Sequence, residues 1–173
     1  MSTRHIPTRR PQDWLYAMSA KPFRTREFLT EVAELLRVQL PQQLRDFQVV
    51  GPVFALVKFH YGNPKVHYEV WVQRRVGKIE VGLHFEAAPE ENARYLSELK
   101  LCYPDVLASL GPEVDPEQWT RSWTRVHHSV PLTTLDEDLL FEVSSWLSRM
   151  IRRLEPVVRQ ISASTTESQI ETV

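Results

Sequence analysis

Histidine and glutamate side chains recur between residues 60 and 86, and these side-chain types can bind a metal ion or transfer protons. His60, His67 and His84 supply imidazoles, while Glu69 and Glu86 supply carboxylates. In the segment VHYEVWVQRRVGKIEVGLHFE, residues 66–86, polar and apolar side chains alternate on both sides of a turn. Such alternation is typical of an antiparallel β-hairpin that has one apolar and one polar face. Any chemistry therefore belongs to the polar face.

The spacing of the strands predicts which polar residues are neighbours. We expect a two-residue turn at Val76-Gly77 within the hairpin, and a four-residue loop at 62–65 before it. Cross-strand neighbours interact because their Cβ atoms lie about 4.5–5.5 Å apart. The polar face should then carry two rows across three strands, which are His60–His67–Glu86 and Lys58–Glu69–His84.

Three interpretations of these rows are open. In the first, His60, His67 and Glu86 bind a divalent metal, since two imidazoles and one carboxylate suit zinc or iron. In the second, Glu69 and His84 form a general acid–base pair, in which the carboxylate tunes the imidazole. In the third, the face is solvated and its opposite charges pair across the strands. We favour the third interpretation and assign no catalytic residue.

Aromatic and cationic side chains on the predicted sheet indicate binding rather than catalysis. Trp71 lies on the polar face, and the segment 119–130 interleaves tryptophans with arginines. Such side chains serve as anchors at protein interfaces, as stacking platforms for nucleic-acid bases, or as a cation–π ladder within a monomer. The predicted binding residues are Lys58, Trp71, Trp119, Arg121, Trp123 and Arg125.

The periodicities predict an α+β fold with the element order α-β-β-β-α-β-α. Consecutive strands favour a four-stranded, mainly antiparallel sheet with the helices packed on one face. Two of its strands are expected at about 52–61 and 119–130, and the longest helix follows a capping box that begins at Thr134. Arginines at 149–159 should lie near the end of this helix, where cations favour the dipole. We divide the chain into a flexible arm (1–22), one domain (23–161) and a disordered tail (162–173).

Composition narrows the function classes. The 173 residues carry a formal charge of −1, so the chain as a whole is not basic enough to indicate a nucleic-acid binder. One cysteine excludes disulfides and cysteine-rich zinc sites. Glycine-rich phosphate loops are absent from the sequence, and so are a secretory signal pattern and an apolar run of about 20 residues. We therefore expect a cytoplasmic location, no cofactor and no membrane partner.

Residues 23–158 resemble an uncharacterised bacterial domain that often follows PD-(D/E)xK nuclease-like modules. The resemblance rests on the strand pair VHYEVWV and KIEVGLHFE, on an amphipathic C-terminal helix, and on Asn92, Leu96, Leu99, Leu110-Gly111 and Trp119. It implies a setting in genome defence or nucleic-acid metabolism. The nuclease motif itself does not occur, since Pro104-Asp105 follows the hairpin and no Asp/Glu-x-Lys lies beyond it. Metal-dependent nuclease activity is therefore disfavoured.

The sequence leads to one principal hypothesis and two alternatives. The principal hypothesis is a non-catalytic binding module that acts on a protein partner, or on a second copy of itself, through an open sheet face bearing tryptophans. The first alternative is an enzyme that uses the His/Glu rows. The second is nucleic-acid binding through the Trp/Arg strand and the N-terminal arginines, which are Arg4, Arg9, Arg10, Arg24 and Arg26.

Overall fold

A computed structural model describes residues 21–170 of the protein, with the side chains of residues 21–164. It confirms the α+β class and the antiparallel sheet, but the sheet has six strands rather than four. The strands lie in the order β1-β2-β3-β4-β6-β5, and every neighbouring pair is antiparallel. Their bounds are β1 Gln48–Val53, β2 Leu56–His60, β3 Val66–Gln73, β4 Lys78–Phe85, β5 Asp115–Gln118 and β6 Thr124–Pro131. The predicted N-terminal arm lies almost entirely outside the described residues.

Two segments that we predicted as single strands or as loops account for the extra strands. The segment at 52–61 contains the turn of a hairpin, where Phe54 adopts a φ of +53° between β1 and β2. The segment at 119–130 begins as a turn, and β5 lies before it. β5 reads Asp-Pro-Glu-Gln, a composition that strands usually avoid. Neither turn carries a glycine signal, so the sequence pattern concealed both hairpins.

In the part of the chain that the structure describes, four α-helices accompany the sheet: α1 Thr25–Gln39, α2 Pro89–Cys102, α3 Pro104–Ala108 and α4 Glu137–Ile170. The cap of α4 is Asp136, whose Oδ1 accepts a hydrogen bond from the Leu139 amide at 3.0 Å, so the predicted cap at Thr134 is displaced by two residues. α4 continues through Pro156 to Ile170 and so includes most of the segment that we expected to be a disordered tail. Buried residues on both sides of Pro156, among them Leu154 and Val157, pack against the core, and this packing offsets the hydrogen bond that proline removes.

The core lies between the apolar sheet face and the helices. Val70 and Val81 are fully buried on this face, and Leu147 and Ile151 of α4 are fully buried against it. On α1, the buried residues Phe28, Leu29, Val32 and Leu36 form one apolar helical stripe. Within residues 21–170, none of the helices combines the length and the apolar composition that crossing a lipid bilayer requires.

The turn between β3 and β4 corrects the predicted pairing. A 3-10 turn at Arg74–Val76 and a left-handed Gly77, with φ +65°, join Gln73 to Lys78. This loop is two residues longer than the predicted turn and shifts the register by two residues, so the same side chains stay on the polar face. His67 lies opposite His84, and Glu69 lies opposite Gly82. Between β2 and β3 the predicted pairs His60–His67 and Lys58–Glu69 are confirmed.

Candidate metal centre

The centre of the polar sheet face is buried. His67 and His84 are 0% exposed, and Glu69 and Glu80 are 4% and 1% exposed. The Trp119 ring packs edge-on against His84, with 5.8 Å between ring centroids. The interpretation of this face as a solvated surface is therefore wrong at its centre. Ionisable groups placed there must find partners within the protein or in a bound ion.

Glu69 lies between the two imidazoles. One of its oxygens, Oε2, is 3.4 Å from His67 Nε2, and the other, Oε1, is 3.4 Å from His84 Nε2. The imidazole rings are parallel within 9°, with centroids 5.8 Å apart. Neither Nε2 atom has a hydrogen-bond partner among the described residues. The predicted acid–base pair of Glu69 and His84 is thus brought together, but it shares its carboxylate with His67.

The tautomer of His67 follows from its second contact. His67 Nδ1 lies 2.9 Å from the Pro64 carbonyl oxygen, which can only accept a hydrogen bond. Nδ1 therefore carries the hydrogen, and a neutral His67 has a bare lone pair at Nε2. That lone pair faces Glu69, which is an unfavourable contact unless a cation lies between them. A backbone carbonyl that fixes Nδ1–H is also the usual arrangement behind an imidazole that binds metal through Nε2.

His84 is also held in its neutral form. Burial lowers the pKa of His84 well below its usual value, and the nearby cations Arg125 and Lys58 lower it further. Both of its ring nitrogens lack hydrogen-bond partners within the described part of the chain. A neutral, unpartnered imidazole beside a buried carboxylate is a competent metal ligand.

Cationic side chains balance part of the negative charge. Lys58 Nζ lies 3.1 Å from Glu86 and 3.8 Å from Glu69, while Arg125 bridges Glu80 and Glu117. Lys78 also contacts Glu80, at 3.4 Å. With neutral imidazoles, four carboxylates face three cations in this network, so its net charge is negative.

The ligand atoms of His67, Glu69 and Glu86 lie within 4.8 Å of one another. A tetrahedral zinc ion, with ligands at about 2.1 Å, separates its ligand atoms by about 3.4 Å. The contact between His67 Nε2 and Glu69 Oε2 already has that length, and Glu86 Oε1 lies 3.8 Å from His67 Nε2. The structure therefore brings together two members of the predicted metal set. The third, His60, is replaced by Glu69.

Two further groups of ligand type surround this centre. Glu69, Glu80 and His84 form one of them, but Arg125 already holds Glu80. Asp115, Glu117 and His127 form the other, at the more exposed end of the face, where Arg125 holds Glu117 at 2.6 Å. The His67 group differs from both, because no arginine among the described residues contacts its carboxylates and the only cation beside them is the long Lys58 side chain, 26% exposed.

Glu69 as a metal ligand was missed by sequence reasoning. The signal was present, because His67 and Glu69 are two residues apart in a strand and must share a face. Gly82 lies opposite Glu69. A Cβ at Gly82 would lie 2.9 Å from His127 Cβ and 2.9 Å from the Val126 carbonyl oxygen, so the close approach of β6 requires glycine there.

The predicted binding residues lie at separate places on the face. Trp71, 36% exposed, lies opposite Glu80 at one end. Trp119 and Trp123 lie in the turn between β5 and β6, beside His84, with Arg125 stacked over the Trp119 ring at 4.8 Å and exposed Arg121 nearby in the chain. The distance from Glu80 to His84 along β4 is roughly 14 Å. The tryptophans therefore flank the His/Glu cluster and do not form one continuous surface.

Comparisons with protein-family models, with curated proteins and with solved structures found no match to this chain. The resemblance to the domain that follows nuclease-like modules stays a prediction. The site must be interpreted from its own geometry.

Proposed function

We propose that this domain binds one divalent metal ion on the polar sheet face, through His67 Nε2, Glu69 and Glu86. The observation that carries the proposal is the pair of buried imidazole nitrogens that face one buried carboxylate without a hydrogen bond. A buried carboxylate is ordinarily hydrogen-bonded or paired with a cation. An ion at this position satisfies Glu69 and His67 at once.

The ligand set narrows the class of ion. One imidazole and two carboxylates favour zinc, manganese or iron over calcium, which prefers oxygen ligands alone. Three protein ligands leave a fourth position for water. The net negative charge of the network favours one ion over two, and Lys58 is the side chain that the ion replaces beside Glu86. His84 Nε2 lies 3.4 Å from Glu69 Oε1, the carboxylate oxygen that does not face His67, and is not one of the three proposed ligands.

Calorimetric titration of chelator-treated protein with Zn²⁺ and Mn²⁺ tests this proposal. We expect one ion per chain for the native protein, and an affinity at least tenfold lower for Glu69→Gln and for His67→Ala. Glu34→Gln is the matched control, because Glu34 is an exposed glutamate on α1. Absence of binding by the native protein, or an equal loss in the control, would contradict the proposal.

Protein docking remains our second candidate function, and one observation favours it. Phe54 is 97% exposed at the turn between β1 and β2, where its positive φ is a conformation that bulky residues rarely adopt. Val53 is also exposed, and Trp71 is paired with Leu56 on the adjacent strands. Strained, exposed apolar residues that the fold retains are more common at functional surfaces than elsewhere.

Substituting both Phe54 and Trp71 by alanine tests the docking function. We expect loss of self-association in analytical ultracentrifugation, or loss of a co-purified partner from the native host. Val38→Ala is the control, because Val38 is a similarly exposed apolar residue on α1. This candidate is excluded if the native protein is monomeric and co-purifies with no partner. The metal proposal does not depend on that result.

A further inference from the structure

We propose that α4, together with the C-terminal end of α1, forms a nucleotide-binding cleft that is separate from the metal centre. The cleft has a volume of about 720 Å³, which lies in the range of small-molecule sites. Three arginines line it, together with polar and aromatic side chains, and no carboxylate is among its lining residues. The residues that the argument uses are Gln39, Phe141, Ser148, Arg149, Arg152 and Arg153.

The positive charge of the cleft is not neutralised by the described residues. Neither Arg152 nor Arg153 makes an ion pair within the described part of the chain. Glu155 is the nearest acidic residue along α4, but its oxygens already accept hydrogen bonds from Arg159, at 2.9 Å, and from Tyr68, at 3.2 Å. The arginines therefore remain available to an anion.

The helix dipole does not explain these arginines. We expected them near the end of the last helix, but α4 runs from Glu137 to Ile170, so residues 149–153 lie in its middle. The dipole acts only within the first and last turns. Arginines three and four residues apart on one helix face repel one another. A bound anion would remove that repulsion.

One arginine is positioned by an aromatic stack. The Arg149 guanidinium lies over the Trp146 ring, 4.5 Å from its centroid. Trp146 in turn stacks on His128 of β6, with 4.0 Å between centroids. The stack ties Arg149 to the sheet and reduces the entropy that is lost when it holds a ligand.

One buried polar atom in the cleft lacks a partner. Gln39 Oε1 is buried and has no hydrogen-bond partner among the described residues. Buried polar groups are nearly always satisfied. A ligand that donates a hydrogen bond to Gln39 would satisfy it, and the Ser148 hydroxyl, which also lines the cleft, can donate to the same ligand.

The arginines, Phe141 and Gln39 of the cleft together favour a nucleotide over other anionic ligands. Guanidinium groups match phosphate oxygens in paired hydrogen bonds. Phe141, 63% exposed at the rim, offers a face on which a base can stack. Phe141 and Arg152 are eleven residues apart on α4, or about 16 Å at the helical rise, which a base–sugar–phosphate unit can span. Gln39 can accept a hydrogen bond from a sugar hydroxyl or a base amine.

Binding is measured with ADP, inorganic pyrophosphate and a single-stranded oligonucleotide, each in the presence of a chelator so that the metal centre takes no part. We expect the double substitution Arg152→Ala/Arg153→Ala to weaken ADP binding by at least about tenfold. The double substitution Arg152→Lys/Arg153→Lys should retain part of the affinity. Phe141→Ala should weaken ADP binding several-fold and leave pyrophosphate binding unchanged. Arg75→Ala, an exposed arginine on the turn between β3 and β4, is the control.

The outcomes distinguish a free nucleotide from a nucleotide within a single-stranded nucleic acid. Tighter binding of ADP than of pyrophosphate supports a free nucleotide, and binding of the oligonucleotide with the same arginine dependence supports a nucleotide within a single strand. Failure of all three probes at low salt overturns the proposal, as does an equal loss in Arg75→Ala. Pyrophosphate binding as tight as ADP binding overturns the nucleotide class. Glu69→Gln should bind ADP as the native protein does, so a failure of the metal proposal is read independently.

Discussion

Two buried glutamates lie on opposite sides of the sheet, and their surroundings differ. Glu155 of α4 accepts hydrogen bonds from Tyr68 and Arg159, so both of its oxygens are satisfied. Glu69 of β3 has two imidazole nitrogens at 3.4 Å and forms a hydrogen bond with neither of them. Both are nearly inaccessible, at 3% and 4% exposure. One carboxylate is thus part of a completed network, and the other faces an incomplete one.

The difference indicates which side of the sheet serves stability and which serves binding. A completed buried network holds α4 against β3, and removing one partner leaves charges uncompensated. An incomplete network weakens the folded state unless something outside the chain completes it. Unsatisfied polar groups persist in native structures mainly where a ligand or an ion uses them. Glu69, His67 and His84 fit that description.

The largest expected effect comes from substituting the two glutamates in the metal-free protein. Glu155→Gln weakens the hydrogen bonds that Tyr68 and Arg159 donate to the carboxylate, and we expect the free energy of unfolding to fall by about 1–3 kcal/mol. Glu69→Gln removes a buried charge that accepts no hydrogen bond and has only the Lys58 ammonium at 3.8 Å as a counter-charge, so we expect no loss or a small gain. Urea denaturation in the presence of a chelator measures both. Equal destabilisation by the two substitutions would mean that the networks do not differ.

The next effect is the stabilisation of the native protein by metal. An ion that binds only the folded state at one hundred times its Kd adds about 2.7 kcal/mol to the free energy of unfolding. We expect this gain from zinc or manganese in the native protein and in Glu155→Gln, but not in Glu69→Gln. Thermal unfolding with and without metal provides the measurement. A gain that survives Glu69→Gln would place the ion elsewhere.

The pH dependence should have opposite signs on the two sides of the sheet. The lowered pKa of His84 means that the unfolded chain takes up its proton first, so this contribution to stability is present above pH 6.5 and is lost as the pH falls below it. Burial raises the pKa of Glu155, so its contribution is present below pH 4.5 and is lost as the pH rises through the raised value. Each slope is at most about 1.4 kcal/mol per pH unit.

Single substitutions show which residue causes each pH dependence of the free energy of unfolding. His84→Gln in the chelated protein should flatten the decline in stability below pH 6.5, although His60 and His127, whose pKa values burial also lowers, keep part of it. Glu155→Gln should remove the opposite slope above pH 4.5. Denaturation midpoints across this pH range, for both variants, provide the test. Slopes of the same sign for both residues would contradict the assignment.

Much of the fold could be predicted from sequence because its signals were local. Alternation across β3 and β4 indicated which side chains face the core. The hairpin turn at Phe54 could not be predicted, since it uses a residue that rarely adopts a positive φ. The end of α4 was also missed, because tertiary packing around Pro156 overrides the helix-breaking tendency of proline.

The candidate site could be predicted only in part. The residue types and the polar face followed from the sequence, and the pairing of β2 with β3 was confirmed. The length of the turn at 74–77 decided which imidazole faces which carboxylate, and a shift of two residues placed His84 rather than Glu86 opposite His67. Burial of the centre was not apparent, because it arises from the Trp119 turn, which lies far away in the sequence.

The most direct test of the metal centre is nitrogen NMR of the His67 ring, assigned with a His67→Gln variant, before and after the addition of zinc. Our account predicts that Nδ1 stays protonated in both states, because it donates to the Pro64 carbonyl. The chemical shift of Nε2 should change from that of an unprotonated nitrogen to that of a metal-bound nitrogen. The same resonance should not move in Glu69→Gln at the same zinc concentration. An Nε2 that carries a proton before zinc is added, or one that zinc leaves unchanged in the native protein, would contradict the account.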